Sequence, residues 1–207
     1  MIANLIFFLR CFVTSLVLVS GSLLMGTIAV LTLFQYRSWY ADVILKHIGL
    51  VILKIWGVKM NVHHVLPQAH EINSKQVVYI SNHTSTIDMF VLIALGLPYT
   101  RFFLSGFLRK TGVIGLIGYV IGVFWTVPQQ FPERRRAIFQ GAERVLKETG
   151  ESVFLSPEGE RVITGQIGHF NKGAFHLAYA LQAPIVPIYI AIPKAMDPGL
   201  GLHVRPG

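Results

Sequence analysis

Two residues that could act together in acid–base chemistry, His83 and Asp88, lie close to each other in the middle of the chain. Residues 81–88, which contain both, follow the apolar and β-branched run 77–80, and this run predicts a buried strand. They precede a second apolar run at 89–95, which predicts a helix packed on that strand. The histidine is therefore expected at the point where a strand ends and a helix begins.

The five-residue spacing decides how the two side chains could meet. On a continuous helix they would point about 140° apart, because an α-helix has 3.6 residues per turn. If His83 lies on a loop and Asp88 in the first turn of the helix, the chain can fold back and join them. A carboxylate on one imidazole nitrogen would fix the tautomer and leave the other nitrogen as a base. A substrate hydroxyl would then serve as the nucleophile. A single histidine beside a polar loop is more often structural, so this hypothesis needs support from elsewhere in the chain.

The composition indicates a membrane or lipid setting. Of the 207 residues, 53% are hydrophobic and only 14% are charged, which is too apolar for an ordinary soluble domain. The formal net charge of +8 suits an anionic lipid or an anionic substrate. We expect no nucleic-acid partner, because the chain carries no recognisable RNA-binding or zinc-finger motif. We also expect no metal, since the single cysteine, Cys11, cannot form a cysteine-based site or an internal disulfide.

A long uncharged stretch near the N-terminus predicts a membrane anchor. No charged residue occurs from Cys11 to Gln35, and about 20 apolar residues are enough to cross a bilayer. A secretory signal peptide is the alternative, but the stretch is longer than the apolar core of a signal peptide and no clear cleavage site follows it. Basic residues are more numerous after the stretch than before it, which predicts that the main domain lies in the cytoplasm.

The rest of the chain alternates between strand and helix patterns. Residues 42–56 are apolar with sparse charge, and they could lie along a membrane surface or pack as a helix. Residues 108–127 are apolar and rich in glycine, and we expect a membrane-facing element there. The predicted strands, beyond the one before His83, lie at 58–65, 101–104, 120–127, 151–156 and 183–191. The predicted helices, beyond the one at 89–95, lie at 132–148 and 174–181. This alternation predicts an α/β fold with a mixed, mostly parallel sheet flanked by helices, plus an N-terminal transmembrane or membrane-embedded helix.

Four short blocks follow one another along this pattern. They are Asn82-His83-x4-Asp88, the glycine-rich block that ends near Val127, Pro157-Glu158-Gly159-x-Arg161, and Pro184-Ile185-Val186-Pro187. In order and separation they resemble the motifs of the glycerolipid acyltransferases, the family of the 1-acylglycerol-3-phosphate acyltransferases and their relatives. The resemblance covers roughly residues 58–192. The first and third blocks are specific when taken together, whereas the second and fourth are weaker.

The resemblance implies an activity and a domain organisation. Residues 1–56 would form the membrane anchor and an amphipathic segment, and residues 57–207 the acyltransferase domain. The enzyme would be membrane-bound, with its active domain on the cytoplasmic side. It would move a fatty acyl group from an acyl thioester to the hydroxyl of a glycerolipid, such as 1-acylglycerol-3-phosphate or another lysophospholipid, in phospholipid biosynthesis or remodelling. Coenzyme A or an acyl carrier protein would carry the donor acyl group, and no further cofactor is implied.

The resemblance also implies roles for individual residues. His83 would accept the proton of the acceptor hydroxyl, and Asp88 would orient His83. The substrate-binding residues would be Asn82, Glu158, Gly159 and Arg161. The tight turn at Gly159 could supply a backbone donor to the oxyanion, and the guanidinium of Arg161 would hold the acceptor phosphate with its planar fork. Glu158 would position substrate, or else act as a structural carboxylate that satisfies nearby amides.

Three positions depart from the family pattern. Where relatives carry basic residues at the start and end of the second block, this chain has Ser105 and Pro128, and Glu160 replaces a threonine of the third block. Fewer cations would then surround an acceptor phosphate, although Arg109, Lys110 or the arginines at 134–136 could compensate. A lysophospholipid or a lipid that lacks this phosphate becomes a credible acceptor.

Two other functional classes use similar residues. A lipid hydrolase would also use a histidine and an aspartate, but the chain lacks the Gly-x-Ser-x-Gly motif of a nucleophile elbow. A non-catalytic lipid-binding protein on the same fold is the other alternative. The presence of His83, Asp88 and Arg161 together argues against loss of catalysis.

Overall fold

A single parallel sheet organises the protein. The computed structural model describes residues 2–65, 76–163 and 166–197. The strands of the sheet are β1 (Val78–Ser81), β2 (Thr100–Ser105), β3 (Phe124–Thr126), β4 (Ser152–Leu155) and β5 (Ile185–Ile188). Their order is β3-β2-β4-β1-β5, and all four pairings between neighbours are parallel. The predicted α/β class is therefore confirmed.

Helices connect the strands and cover both faces of the sheet. They are α1 (Ile2–Leu31), α2 (Arg37–Trp39), a π-helix (Tyr40–Leu45), α3 (Lys46–Trp56), α4 (Asp88–Leu95), a 3-10 turn (Leu108–Lys110), α5 (Gly112–Ile121), α6 (Pro132–Thr149) and α7 (Gly173–Leu181). The helix predicted at 132–148 begins with a proline at its first position and ends at Gly150, as expected for a helix with these boundary residues.

Two sequence predictions differ from the structure. Residues 58–65 contain no strand, although their side chains alternate between apolar and polar. Alternation alone does not make a strand, because a strand also needs a neighbour to accept its backbone hydrogen bonds. The strand predicted at 120–127 is shorter, β3 at Phe124–Thr126, because α5 extends to Ile121 and a 3-10 turn precedes α5.

The two faces of the sheet carry different layers. Alternate side chains of the strands point to opposite faces, so Tyr79, Phe102 and Phe154 enter one core while Val78, Phe103 and Val153 enter the other. The first core is completed by α1, the π-helix, α4 and α5, and the second by α6 and α7. The helix layer on the first face is strongly apolar, and the charged residues of α6 lie on the second.

Helix α1 lies along the side of the sheet domain instead of projecting from it. Met25 and Ala29 are fully buried in the first core, and Trp56 at the end of α3 donates a hydrogen bond to Thr14 at 3.0 Å. Gly21 is where α1 approaches α3 most tightly, since a Cβ at this position would lie 2.5 Å from the Ile48 side chain. The opposite side of α1 exposes a band of large apolar side chains: Leu5, Phe8, Leu9, Phe12, Leu16, Leu23, Leu24, Val30 and Leu31.

Among the described residues, α1 contains the one segment, Asn4–Leu31, that is long and apolar enough to cross a membrane. Its exposed apolar band is consistent with association with a membrane. The division of the chain into an anchor at residues 1–56 and a separate domain from residue 57 stays a prediction. Met25 and Ala29 share a core with strand residues such as Phe154.

The parallel arrangement fixes where a reaction centre can form. The carboxyl ends of parallel strands lie at one edge of the sheet, and side chains from different loops converge there. β1 and β4 are neighbours in this sheet. Their carboxyl ends deliver the histidine block and the block that begins at Pro157 to the same edge.

Candidate active site

The loop after β1 and the first residue of α4 bring His83 and Asp88 together. His83 Nδ1 lies 2.9 Å from Asp88 Oδ2. As the sequence spacing required, His83 is on the loop and Asp88 begins the helix. Asp88 is 1% exposed, whereas the His83 side chain is 37% exposed. The carboxylate is therefore sealed within the protein while the imidazole remains open to a substrate.

One oxygen of Asp88 also stabilises the conformation of the loop that carries His83. In addition to the His83 ring, Asp88 Oδ2 accepts the backbone N–H groups of Thr84 at 2.8 Å and Ser85 at 2.9 Å. Three donors and the positive end of the α4 dipole all face the negative charge of the carboxylate. Because an ionised carboxylate can only accept, Nδ1 of His83 carries the proton and Nε2 is left with a lone pair.

Glu158 ties the third block to the histidine loop. Its Oε2 accepts the backbone N–H of His83 at 2.6 Å, and its Oε1 accepts the backbone N–H of Gly168 at 2.7 Å. Glu158 is only 3% exposed, so both oxygens are committed to backbone amides within the protein. A backbone bond from Val162 N–H to the His83 carbonyl, at 2.8 Å, joins the same two loops again. Of the two roles considered for Glu158, this geometry fits the structural carboxylate.

Asn82 fixes the other side of the histidine loop. Its side-chain amide donates to the Ile190 carbonyl at 2.9 Å and accepts the Ile190 N–H at 2.8 Å. Ile190 follows β5, the strand on the other side of β1 from β4. Asn82 is 8% exposed, and both ends of its amide are used in this pairing. The loop is thus held by both neighbours of β1, and the predicted substrate contact of Asn82 stays a prediction.

Gly159 and Arg161 lie at the exposed part of the same turn. Gly159 has a left-handed backbone with φ of +74°, and its N–H closes the turn by donating to the Ser156 carbonyl at 3.2 Å. Arg161 Nη1 donates to the Thr86 hydroxyl at 2.6 Å, across the loop that carries His83. Among the described residues, Arg161 makes no ion pair with a carboxylate. Its guanidinium is therefore directed toward the reaction centre and not toward Glu160.

The structure adds two positioning residues that the motifs do not contain. Asn171 donates from its side chain to the carbonyls of Pro157 and Glu158, each at 3.0 Å, and so stabilises the turn that contains Gly159. Asp197 accepts the hydroxyl of Ser85, which itself accepts the Ile87 N–H. The glycine-bounded loop at 168–173 was a signal in the sequence for Asn171. Asp197 gave none, because it lies 112 residues away from its partner.

The residues that depart from the family pattern also lie at this edge. Ser105 ends β2 and Pro128 lies just beyond β3, so neither position brings a cation to the site. Arg135 of α6 does reach this region, since its Nη1 donates to the Val127 carbonyl at 3.1 Å. The positive charge of Arg135 thus lies close to Pro128, the position after β3 where the family pattern has a basic residue and this chain has none.

Comparison with known proteins agrees with this architecture. The model of the family described as "Acyltransferase" matches residues 59–191, which is most of the chain. The chain therefore belongs to the acyltransferase family.

Several curated relatives and one solved structure are similar to the chain. It is 37% identical over 115 residues to the chloroplastic 1-acyl-sn-glycerol-3-phosphate acyltransferase BAT2 of Brassica napus, covering 54% of this chain and 31% of the relative. Human 1-acyl-sn-glycerol-3-phosphate acyltransferase beta is 34% identical over 115 residues, covering 56% of this chain and 41% of the relative. This chain thus spans less than half the length of these two relatives. The crystal structure of the 1-acyl-sn-glycerophosphate acyltransferase PlsC from Thermotoga maritima shares the fold, with a TM-score of 0.55, 18% identity and coverage of 85% of this chain and 73% of that one.

The two backbone hydrogen bonds that Glu158 accepts lead to a first prediction. In Glu158→Gln the amide nitrogen must face one of the two backbone N–H groups that the carboxylate now accepts, which leaves a buried donor unsatisfied. We expect the free energy of unfolding to fall by about 1–3 kcal/mol. Chemical denaturation of the purified protein in detergent measures this change. Glu160→Gln is the matched control, because Glu160 is exposed and lies two residues away. Equal stability of the two variants would contradict the structural role of Glu158.

Proposed function

We propose that the protein is a glycerolipid O-acyltransferase that moves a fatty acyl group from an acyl thioester to the hydroxyl of a lysophospholipid such as 1-acylglycerol-3-phosphate. The observation that carries the proposal is the pairing of His83 with a fully buried Asp88 at the carboxyl edge of the sheet. Membership of the acyltransferase family supports it, as do the printed names of the relatives. The product would enter phospholipid biosynthesis or remodelling.

The geometry of the pair supports a direct transfer with no acyl-enzyme intermediate. The acceptor hydroxyl donates to Nε2 of His83 and loses its proton to this nitrogen as its oxygen attacks the thioester carbonyl. The resulting tetrahedral intermediate collapses by breaking the carbon–sulfur bond, and the departing thiolate takes the proton back from the imidazolium. Asp88 remains ionised throughout and stabilises the imidazolium through the bond to Nδ1. The products are an ester and a free thiol, and the histidine is regenerated.

A second prediction tests the general base. His83→Ala should lower turnover by at least about 100-fold, because this is the usual contribution of a positioned base. The variant should unfold at nearly the wild-type temperature, since the imidazole is partly exposed and leaves no large cavity. Product formation is followed by chromatography of radiolabelled lipids, with His64→Ala as a control at an exposed histidine.

The same assay separates the alternatives to acyl transfer. Release of free fatty acid without any acceptor would indicate a hydrolase, and lipid binding without turnover would indicate a non-catalytic lipid-binding protein. A His83→Ala variant that keeps more than half of the wild-type rate would contradict the proposed mechanism.

Arg161 is proposed to bind the phosphate of the acceptor. The side chain is exposed at the mouth of the site, and its described partner is the neutral hydroxyl of Thr86. A phosphate would offer two oxygens to the guanidinium fork and would release no carboxylate from an existing ion pair. Arg135, held against the Val127 carbonyl, would supply additional positive charge in the place of the cations missing at Ser105 and Pro128.

A third prediction follows for Arg161→Lys. The KM for lysophosphatidate should rise, because a point charge replaces a bidentate fork, while the KM for the donor stays unchanged. Stability should also stay unchanged, because the residue is exposed. With monoacylglycerol, an acceptor that lacks phosphate, the variant and the wild type should behave alike. Steady-state kinetics with each substrate varied in turn decide the matter. An unchanged KM for lysophosphatidate together with a lowered unfolding temperature would contradict the phosphate role.

The acyl donor is proposed to approach from the face of the sheet that α6 and α7 cover, opposite to the face that α1 covers. A cleft of about 490 Å³ lies between α6 and α7, and Arg135, Arg136, Lys172 and His176 line it. Glu143 is the one acidic residue in its lining. Asn171, which supports the turn at Glu158, forms part of the same wall. A phosphorylated carrier, whether coenzyme A or an acyl carrier protein, would place its phosphates beside Arg136 and Lys172 and reach the site with its pantetheine arm.

A fourth prediction tests this cleft. Arg136→Gln should raise the KM for acyl-coenzyme A several-fold at low salt, where charge interactions are least screened. Glu143→Gln should lower the same KM, because it removes the anion from the cleft. Arg144→Gln is the matched control, an exposed arginine of α6 that does not line the cleft. Acyl-pantetheine, which carries no phosphate, should be used equally well by all variants. Equal effects of Arg136→Gln and Arg144→Gln would indicate only a general influence of net charge.

We further propose that the enzyme works at the cytoplasmic surface of a membrane. The apolar band of α1 would lie in the lipid, and the basic residues that follow α1 would remain on the cytoplasmic side. The acceptor would then enter from the membrane and the donor from water, on the two faces of one sheet.

A further inference from the structure

A group of charged residues lies at the amino edge of the sheet, on the far side from His83. It consists of Arg37, Asp42, Arg101 and Glu151, and we call it the amino-edge cluster. Arg101 is the second residue of β2, and Glu151 immediately precedes β4. Arg37 begins α2, directly after the long apolar helix. None of these residues contributes to the reaction proposed above.

Among the described residues, only Arg101 of the two arginines in the cluster forms an ion pair. Arg101 Nε is paired with Glu151 Oε2 at 2.5 Å, and both side chains are buried. Arg37 Nη1 and Arg101 Nη1 each lie 2.8 Å from the point where a Cβ of Gly122 would be. The two guanidinium groups are therefore close enough to repel each other. Asp42 already accepts the Tyr99 N–H at 3.2 Å, and burial raises the pKa of Asp42.

Arg37 has no carboxylate at ion-pair distance among the described residues, although the negative charge of Glu151 acts on it from farther away. Among the described residues it makes no ion pair, and its Nε is buried without an acceptor. Burial, and after it the positive charge of Arg101, lowers the pKa of Arg37 from its ordinary value. A partly buried guanidinium without an ion-pair partner is costly, so an anion from outside the protein would be bound favourably. Because Gly122 has no Cβ, the guanidinium groups of Arg37 and Arg101 can both lie against its backbone, close to each other.

The location of Arg37 indicates the source of the anion. Arg37 is the first charged residue after the apolar helix, at the level where lipid head groups would meet the protein. Exposed aromatic residues surround this position: Tyr36 is 55%, Trp39 47% and Tyr119 69% exposed. Tyrosine and tryptophan are typical of the membrane–water interface, where one part of the ring lies in lipid and the polar group in water.

We propose that the amino-edge cluster binds the phosphate of an anionic membrane lipid, at a site separate from the reaction centre. The guanidinium groups of Arg37 and Arg101 hold the phosphate from two sides above Gly122. A lipid bound there fixes the C-terminal end of α1 at the membrane surface. It also orients the sheet so that the opposite, carboxyl edge keeps a constant position relative to the lipid.

The experiment compares two arginines of the N-terminal region. The purified full-length protein is mixed with vesicles of phosphatidylcholine, alone or with phosphatidylglycerol, and the bound fraction is measured by flotation. For the wild type we expect tighter binding to the anionic vesicles. Arg37→Gln should reduce this preference about tenfold, which corresponds to the loss of about 1.4 kcal/mol of binding free energy. Arg10→Gln removes the same charge near the other end of α1 and should reduce the preference much less.

Further variants and conditions test the specificity of the site. Arg37→Lys keeps the charge but loses the fork, so it should fall between the wild type and Arg37→Gln. Turnover of substrates in detergent micelles should be the same for Arg37→Gln and the wild type, because the cluster is remote from His83. This result would separate a failure of the lipid site from a failure of the proposed reaction. Circular dichroism checks that each variant is folded, and Arg37→Lys replaces Arg37→Gln if the latter does not fold.

Two results would overturn the proposal. Equal losses for Arg37→Gln and Arg10→Gln would mean that only overall positive charge attracts the protein to anionic vesicles. Alternatively, inorganic phosphate could raise the unfolding temperature of the detergent-solubilised wild type above that in chloride of equal ionic strength, while the vesicles show no lipid preference. The cluster would then bind free phosphate and not a lipid.

Discussion

The proposed reaction centre depends on a single oxygen of one buried carboxylate. Asp88 Oδ2 accepts two backbone N–H groups of the histidine loop and the ring of His83 itself. The same charge therefore shapes the loop, chooses the tautomer of the imidazole and compensates the imidazolium when it forms. The other oxygen, Oδ1, is buried and has no hydrogen-bond partner among the described residues. Loop conformation and proton transfer are consequently coupled, and any substitution of Asp88 changes both.

The strand order explains why distant blocks of sequence support one loop. β1 lies between β4 and β5, and the residues that follow these two strands hold the histidine loop from either side. Glu158 reaches it from β4, and the backbone of Ile190 pairs with Asn82 from β5. A parallel sheet makes this possible because its strands all deliver their loops to one edge. The block containing Pro184 and Pro187 therefore matters for the site through the strand it forms, not through a side chain with chemical reactivity.

Much of the fold and the central pair could be predicted from the sequence. The apolar runs bounded by glycine and proline located β1, β2, β4, β5 and the helices α4, α6 and α7, since these signals are local. The spacing of His83 and Asp88 also contained enough geometry to require a loop followed by a helix start. The strand order was not predictable in this way, because parallel neighbours such as Val78 and Val153 are far apart in sequence.

The role of Glu158 and the lack of an ion pair for Arg37 could not be predicted from the sequence for a related reason. The sequence suggested two roles for Glu158, and only the positions of the His83 and Gly168 amides distinguish them. In the sequence, Arg37 is a basic residue that flanks an apolar segment, and this common pattern predicts no particular contact for it. Its approach to Arg101 depends on the packing of α1 against the sheet, and neither hydropathy nor spacing encodes that contact.

The packing of α1 also bears on how the protein meets a membrane. Phe7 and Thr14 contact Trp56, and Gly21 contacts Ile48, so α1 runs antiparallel to α3 along the side of the domain. If α1 crossed a bilayer upright, the sheet and the charged helix α6 would have to enter the hydrocarbon beside it, at a high cost for each charge. A helix that lies along the membrane surface avoids this cost. It buries its apolar band in lipid and keeps α6 and α7 in water. The packing of α1 therefore leaves its apolar band on the outside of the domain, along one side of the sheet, which is where a membrane would contact it.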